Sequence, residues 1–315
     1  MNMIEDLKRL PEPEKTYLEI LKVHDKEVPM ANLLAFFFRN NEMHGLGNLF
    51  IRALLKTNFY ELDIRKKPDS TGSVISIGNS EEEQELILNS ISNVVVRTED
   101  PTNEANEKEK RIDILIDTEK FIICIEFKIN HILNNPLDTY REHINETYKD
   151  SGKQIFFIVL TPSKKEADVP NIESYLEKNS IFKQVILSHF IKNVQSELPL
   201  NFIENVSFKF YKDFIQTIQN REIKYKRFLL LDQLINALKE VGLVGQYNSN
   251  NKGGFIQIEK NDYTLKIRIE NKNIQIESWP LKKEKNIEAL FSLDTNSKEI
   301  AAYILNFKQA LINTK

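Results

Sequence analysis

The stretch from Arg111 to Lys128 limits the fold more than any other part of the chain. Two apolar runs, Arg111-Ile-Asp-Ile-Leu-Ile-Asp117 and Phe121-Ile-Ile-Cys-Ile-Glu-Phe127, flank the polar Thr118, Glu119 and Lys120. Ile112, Ile114 and Ile116 recur with the period of a strand, and the second run has the near-continuous apolar character of a strand covered on both faces. Asp113, Glu126 and Lys128 break that character, and ionisable groups set among such residues are costly unless something compensates them. If the hairpin turns on Glu119 and Lys120, Asp113 stands directly opposite Glu126, because the two lie equally far from the turn. Their carboxylates then share one face with β-carbons about 5 Å apart. Lys128 falls two residues beyond Glu126 and so on the same face. A three-residue loop breaks this register.

The flanking sequence predicts the order of the elements. Pro29 to Phe38 and Leu46 to Leu55 carry apolar residues at helical spacing, separated by Arg39-Asn40-Asn41, Gly45 and Gly47. Glu81 to Ile91 reads as a helix opened by Ser80, with Glu83 three residues on in a capping-box pattern. Strands follow at Asn93 to Thr98, Arg111 to Asp117 and Phe121 to Phe127, with a charged loop from Asp100 to Lys110, then a helix over Leu137 to Tyr148 and a strand over Gln154 to Leu160. Helices are expected at Asn171 to Lys178, Ile181 to Ser196, Val206 to Gln219 and Glu222 to Val241, the last with Phe228, Leu231, Leu234, Ile235 and Leu238 on one stripe. Alternation returns at Phe255 to Glu259, Tyr263 to Glu270 and Ile274 to Trp279, with Asn271-Lys272-Asn273 as a tight turn, and a closing helix over Lys298 to Ile312 is capped by Asn296 or Ser297. A chain of 315 residues suits two domains, and a boundary near Glu222 separates residues 1–221 from a smaller αβββα module over 222–315.

Two carboxylates held so close repel one another and raise at least one pKa unless a cation lies between them. Mg²⁺ suits such a pair: it takes one or two carboxylates, keeps several waters and uses substrate phosphate oxygens for the remainder. Lys128 beside it could orient or deprotonate a water, or neutralise charge developing at phosphorus. Those parts suffice to hydrolyse a phosphodiester.

Asp113, a spacer and Glu126-x-Lys128, inside helix-strand-strand-strand-helix-strand order, resemble the PD-(D/E)XK nuclease superfamily with its restriction-endonuclease-like fold. Glu27-Val-Pro-Met-Ala-Asn-Leu-Leu-Ala35 and His44-Gly-Leu-Gly-Asn-Leu-Phe50 are similar to the N-terminal helical pair of one bacterial branch. Ile155 to Pro162, Val185 to Phe190 and Phe210 to Ile215 resemble later elements, so that the likeness spans about residues 25 to 220. The resemblance implies an α/β core of mixed sheet flanked by helices, αβββαβ, followed by a small α+β module. It implies that Asp113 and Glu126 bind Mg²⁺, with Mn²⁺ as a substitute, that the Phe127 carbonyl joins them, that Lys128 is the catalytic lysine and that Glu27 completes the site. It further implies nucleic acid, DNA first, as partner, and a role in bacterial defence against foreign DNA. Leu137 and Tyr140 match the family's following helix, but Pro136 stands where many members carry Gln; that contact is absent or moved to Asn134 or Asn135.

The rest of the chain narrows the alternatives. A net charge of −3 is too balanced to coat nucleic acid or an anionic membrane, so any contact is a local patch. Lys164-Lys165, Lys224 with Lys226 and Arg227, and Lys266 with Arg268 are such patches, more often simply solvated. The lone Cys124 excludes a disulfide framework and fits a reducing, cytoplasmic setting as a buried small hydrophobe. His44 reads as a hydrogen bonder joining two helices; His131, His143 and His189 lack metal spacing. No apolar run approaches the ~20 residues of a membrane span, which predicts a soluble, unprocessed protein. The competing function is a nuclease fold that binds nucleic acid or protein without cutting, its C-terminal module serving dimerisation or sensing.

Overall fold

The computed structural model of the chain describes residues 13–61, 73–74, 80–101, 111–129, 133–162, 181–198, 207–248, 254–260, 263–270, 273–280, 286–293 and 295–313. The expected helix over Asn171 to Lys178, most of the Asp100–Lys110 loop, Lys164, Lys165, His131, Asn271 and Lys272 lie outside the described residues. The chain forms two compact units, Lys15–Ile218 and Gln219–Lys315 with Met1–Glu14.

In the larger unit, α1 (Tyr17–Ile20), α2 (Glu27–Phe38) and α3 (Leu49–Leu55) precede β1 (Asn58–Glu61) and β2 (Ser73–Val74). The αβββαβ order then appears as α4 (Glu81–Ser90), β3 (Val94–Pro101), β4 (Arg111–Thr118), β5 (Phe121–Phe127), α5 (Leu137–Tyr148) and β6 (Gln154–Thr161). The Ser80 side chain accepts from the Glu83 N–H and opens α4. A seven-stranded mixed sheet runs β2-β1-β7-β6-β5-β4-β3. One face packs on α2, α3 and the helices that follow the sheet, through residues such as Phe37, Phe38, Phe50, Ile123, Ile125, Phe190 and Phe214. The other packs on α5, with Leu115, Ile122, Cys124, Phe157 and Val159 against Leu137, Tyr140 and Ile144.

Two helix expectations are corrected. Ile181 to Ser196 is not one helix: β7 (Phe182–Ile186) precedes α6 (Leu187–Glu197). Apolar residues at 182, 185, 186 and 190 satisfy helical spacing, yet β7 has partners on both sides, parallel to β6 and antiparallel to β1, and that pairing overrides a short periodicity. The helices expected on either side of residue 220 are a single one, α7 (Phe208–Glu240); no Gly or Pro interrupts it, and Gln219-Asn220-Arg221 allows it to continue.

In the smaller unit, five antiparallel strands stand where three were expected. β8 (Gln246–Asn248), β9 (Phe255–Lys260), β10 (Tyr263–Glu270), β11 (Asn273–Pro280) and β12 (Asn286–Ser292) lie in the order β12-β11-β10-β9-β8. β8 is too short to show a period, and β12, with Glu288, Ala289 and Leu290, is drawn into the sheet by pairing with β11. Its core joins Ile256, Leu265, Ile267 and Ile276 to Leu231, Leu234, Leu238, Ile300 and Ile304. Asn296 caps α8 (Ser297–Asn313) by accepting from the Lys298 N–H. No helix of the described residues is long and apolar enough to cross a membrane.

Candidate active site

The β4–β5 hairpin turns on Glu119 and Lys120: Ile114 pairs with Ile125, Leu115 with Cys124, Ile116 with Ile123 and Asp117 with Ile122. Continued by one step, that register sets Asp113 opposite Glu126. The pair is pinned by a cross-strand contact, the Phe127 N–H donating to Asp113 Oδ2 at 2.8 Å. β5 is buried along its whole length, so Glu126 is fully enclosed and Lys128 nearly so, at 0% and 6% exposure. Lys128 Nζ lies 2.9 Å from Glu126 Oε1, and its backbone N–H is held by the Leu160 carbonyl of neighbouring β6 at 2.9 Å.

Glu27 arrives from the first turn of α2. Its Oε2 lies 3.3 Å from Lys128 Nζ, and its Oε1 accepts from the Ile129 N–H at 3.2 Å. A residue a hundred positions upstream thus clamps the end of β5. The contacts place Glu27 against the lysine, while its charge also acts on Asp113 and Glu126.

The electrostatics follow from enclosure. Burial pushes Asp113 up to about 6, opposed by the Phe127 N–H and the charge of Lys128. Burial, reinforced by Asp113, pushes Glu126 up to about 8. Burial works to lower the Lys128 pKa, but Glu126, Glu27 and Asp113 overcome it and hold the ammonium above its ordinary range. One lysine therefore leaves the pair of acids under-compensated, and both carboxyls are shifted toward their protonated forms.

These groups suit a hard divalent cation. Both Glu126 oxygens are buried, and Oε1 has Lys128 Nζ 2.9 Å away as its ion-pair partner. No set of three or more His, Cys, Asp or Glu side chains among the described residues could hold a metal ion by itself. Two buried carboxylates sharing one lysine match an ion that keeps water and shares substrate oxygens, as Mg²⁺ does, better than one needing a full protein cage.

His44 is buried between helices, Nε2 at 2.9 Å from the Arg39 carbonyl and Nδ1 accepting from the Leu46 N–H at 2.9 Å; burial lowers its pKa. Cys124 is enclosed, and burial lifts its thiol well above the usual range. His143 lies on α5 and exposed His189 near the Tyr60 ring. Pro136 precedes α5 without a side-chain cap, and Asn135 Nδ2 donates to the Tyr140 hydroxyl at 3.4 Å. Tyr140, a helix position that matches the family, is buried on the site's face and within electrostatic range of Glu126 and Asp113. Its spacing three residues after Leu137 was the available signal. Arg268 is engaged by Glu270 and Glu277, Lys266 lies over the Phe255 ring, Lys226 pairs with Glu222, and Arg227 is buried.

A mixed sheet flanked by helices, with an Asp and a Glu-x-Lys converging at one hairpin, defines a restriction-endonuclease-like protein. A family model described as the PD-(D/E)XK nuclease superfamily matches residues 16–216, and the chain belongs to that superfamily. No curated protein and no solved structure matches it significantly. Membership implies nuclease chemistry and contact with nucleic acid.

Proposed function

We propose that this protein is a Mg²⁺-dependent nuclease that hydrolyses phosphodiester bonds in DNA, with Mn²⁺ as a substitute ion. The observation that carries the reading is the buried Asp113–Glu126 pair with the Lys128 amine 2.9 Å from Glu126 Oε1. Asp113 and Glu126 would hold the ion, with the Phe127 carbonyl as a further ligand, and Glu27 would act through its grip on Lys128 and Ile129. The ion supplies Lewis acidity toward a phosphate oxygen and lowers the pKa of bound water.

The remaining work belongs to the chain's own side chains. Lys128, kept as an ammonium by Glu126 and Glu27, stabilises negative charge as it develops around phosphorus and orients the attacking water. Glu27 keeps Nζ from swinging away, since it grips both that amine and the Ile129 N–H. The Phe127 N–H fixes the Asp113 carboxylate, so the acid pair is preorganised by backbone and not by a flexible loop. Residues 222–315 are assigned a binding, sensing or dimerisation role beside a catalytic 1–221. A cytoplasmic role in bacterial defence against foreign DNA fits the same reading.

The test is cleavage of plasmid, linear and single-stranded DNA and of RNA with Mg²⁺, comparing wild type with Lys128→Ala and Asp113→Ala. Wild type cuts DNA, EDTA stops it, and each variant loses at least about 100-fold in rate. Equal rates in wild type and both variants would show that cutting does not arise here. No cutting over the whole panel would leave the non-cleaving binding protein as the better account.

A further inference from the structure

The sheet face that carries Asp113 and Glu126 continues onto edge strand β3, where a second set of charged groups is assembled. Arg97 pairs with Leu115 on β4, so it shares a face with Asp113 and Asp117, two residues to either side of Leu115. About 6.8 Å along the strand and ~4.8 Å across it separate the backbones of Arg97 and Asp113, an offset that an arginine side chain spans readily.

The guanidinium is fixed from one side. Nη2 donates to the Tyr148 hydroxyl at 2.7 Å, which donates to Asp117 Oδ2 at 3.1 Å, while Lys153 Nζ holds Asp117 Oδ1 at 2.6 Å. Nε lies 3.1 Å from Asp100 Oδ1. That last contact needs a backbone exception, because residues three apart on a regular strand point to opposite faces. Glu99 supplies it with a φ of 51°, in the left-handed region. Strain at this position therefore turns Asp100 onto the face of Arg97. The Arg97 side chain stays 41% exposed, and among the described residues no hydrogen bond engages its Nη1. Asp117 is matched by Lys153, so among the described residues the outward edge of the guanidinium keeps Nη1 without a hydrogen bond, on the sheet face of the acid pair.

We propose that Arg97 is a substrate-positioning residue that takes a backbone phosphate next to the one being cut. The inference rests on the nuclease reading of the neighbouring carboxylates. A planar fork anchored by Tyr148 and Asp100 loses little freedom when its free edge meets phosphate oxygens. Asp113, Glu126 and Lys128 act at the scissile phosphate, whereas Arg97 sets where along the strand that phosphate falls.

The test uses the full chain carrying Lys128→Ala, which keeps both carboxylates and prevents cutting. Anisotropy of a fluorescein-labelled DNA duplex and of its single strand, titrated across salt concentrations, compares this parent with the same protein carrying Arg97→Gln. Arg97→Gln weakens binding about tenfold at low salt and reduces the slope of log affinity against log salt by about one. In the cleaving protein, Arg97→Gln raises KM about tenfold with kcat within about twofold. Arg97→Lys keeps the salt slope but, lacking the fork, still raises KM; should Arg97→Gln fail to fold by circular dichroism, this variant decides through KM. Cleavage by wild type with affinity, salt slope and KM all unmoved by Arg97→Gln overturns this inference and leaves the nuclease reading standing. A parent that binds neither form of DNA overturns both.

Discussion

Glu126 is held in a pocket that disfavours its own charge. Burial first and Asp113 second lift it to about 8, above the ~4.3 of an unfolded glutamate. The sign of the consequence is set by proton binding: the native state holds the proton more tightly, so this stabilisation is complete below about pH 4 and is lost as pH rises to about 8. Asp113, raised to about 6, acts in the same direction over a lower window. In EDTA, the urea midpoint of wild type should fall between pH 5 and pH 8 by the equivalent of a few kcal/mol, and Glu126→Gln should remove most of that fall. Mg²⁺ competes with the proton for the same oxygens. It should therefore raise the wild-type midpoint more at pH 8 than at pH 5, by about 2.7 kcal/mol at a hundredfold excess over its Kd, and leave Glu126→Gln nearly unmoved. Parallel pH profiles for the two proteins would show that Glu126 is not the titrating group.

Strand β3 shows how one residue can set the function of an element. Glu99 has a φ of 51° opposite Asp113, in a strand otherwise regular enough to pair from Val94 to Pro101. A β-branched side chain prefers strands but is excluded from the left-handed region. Glu99→Ile should therefore cost about 1–2 kcal/mol in urea denaturation where strand preference alone predicts a gain, and it should raise KM as Arg97 and Asp100 separate. A stabilised variant with unchanged KM would remove the exception. This scale also shows why the hairpin could be read from sequence and other parts could not. A two-residue turn, period-two apolar residues and three misplaced charges fix the β4–β5 register locally. β7 exists because β6 and β1 flank it, which no window of its own residues encodes. The grip of Glu27 on Lys128 and Ile129 joins positions a hundred residues apart, and only the likeness to a family of such sites pointed to Glu27. Positive φ at a glutamate leaves no compositional trace, and the Arg97 cluster depends on it.

Among the described residues the hydrophobic clusters have no member in common: two line the seven-stranded sheet and one fills the C-terminal unit. A single residue gives a spectroscopic handle on β11, because Trp279 is the chain's one tryptophan and lies in that strand. Gly254 offers a matching lever. Its φ is 89°, and a β-carbon there would meet Tyr247 at 2.5 Å from Cζ, while the Tyr247 ring is itself set edge-on against Phe228 at 5.0 Å. Alanine must strain the backbone and displace an aromatic ring, at a cost of about 1–3 kcal/mol. Gly254→Ala should thus lower the urea midpoint followed by tryptophan fluorescence by that amount. In the absence of denaturant, Mg²⁺-dependent cleavage should keep its rate, since every proposed catalytic group lies in Lys15–Ile218. An unmoved fluorescence midpoint would refute the packing at Gly254. Loss of cleavage in a protein whose circular dichroism remains native would show that the C-terminal unit is required by the catalytic reaction itself, and would move part of the functional assignment from the acid pair to residues 222–315.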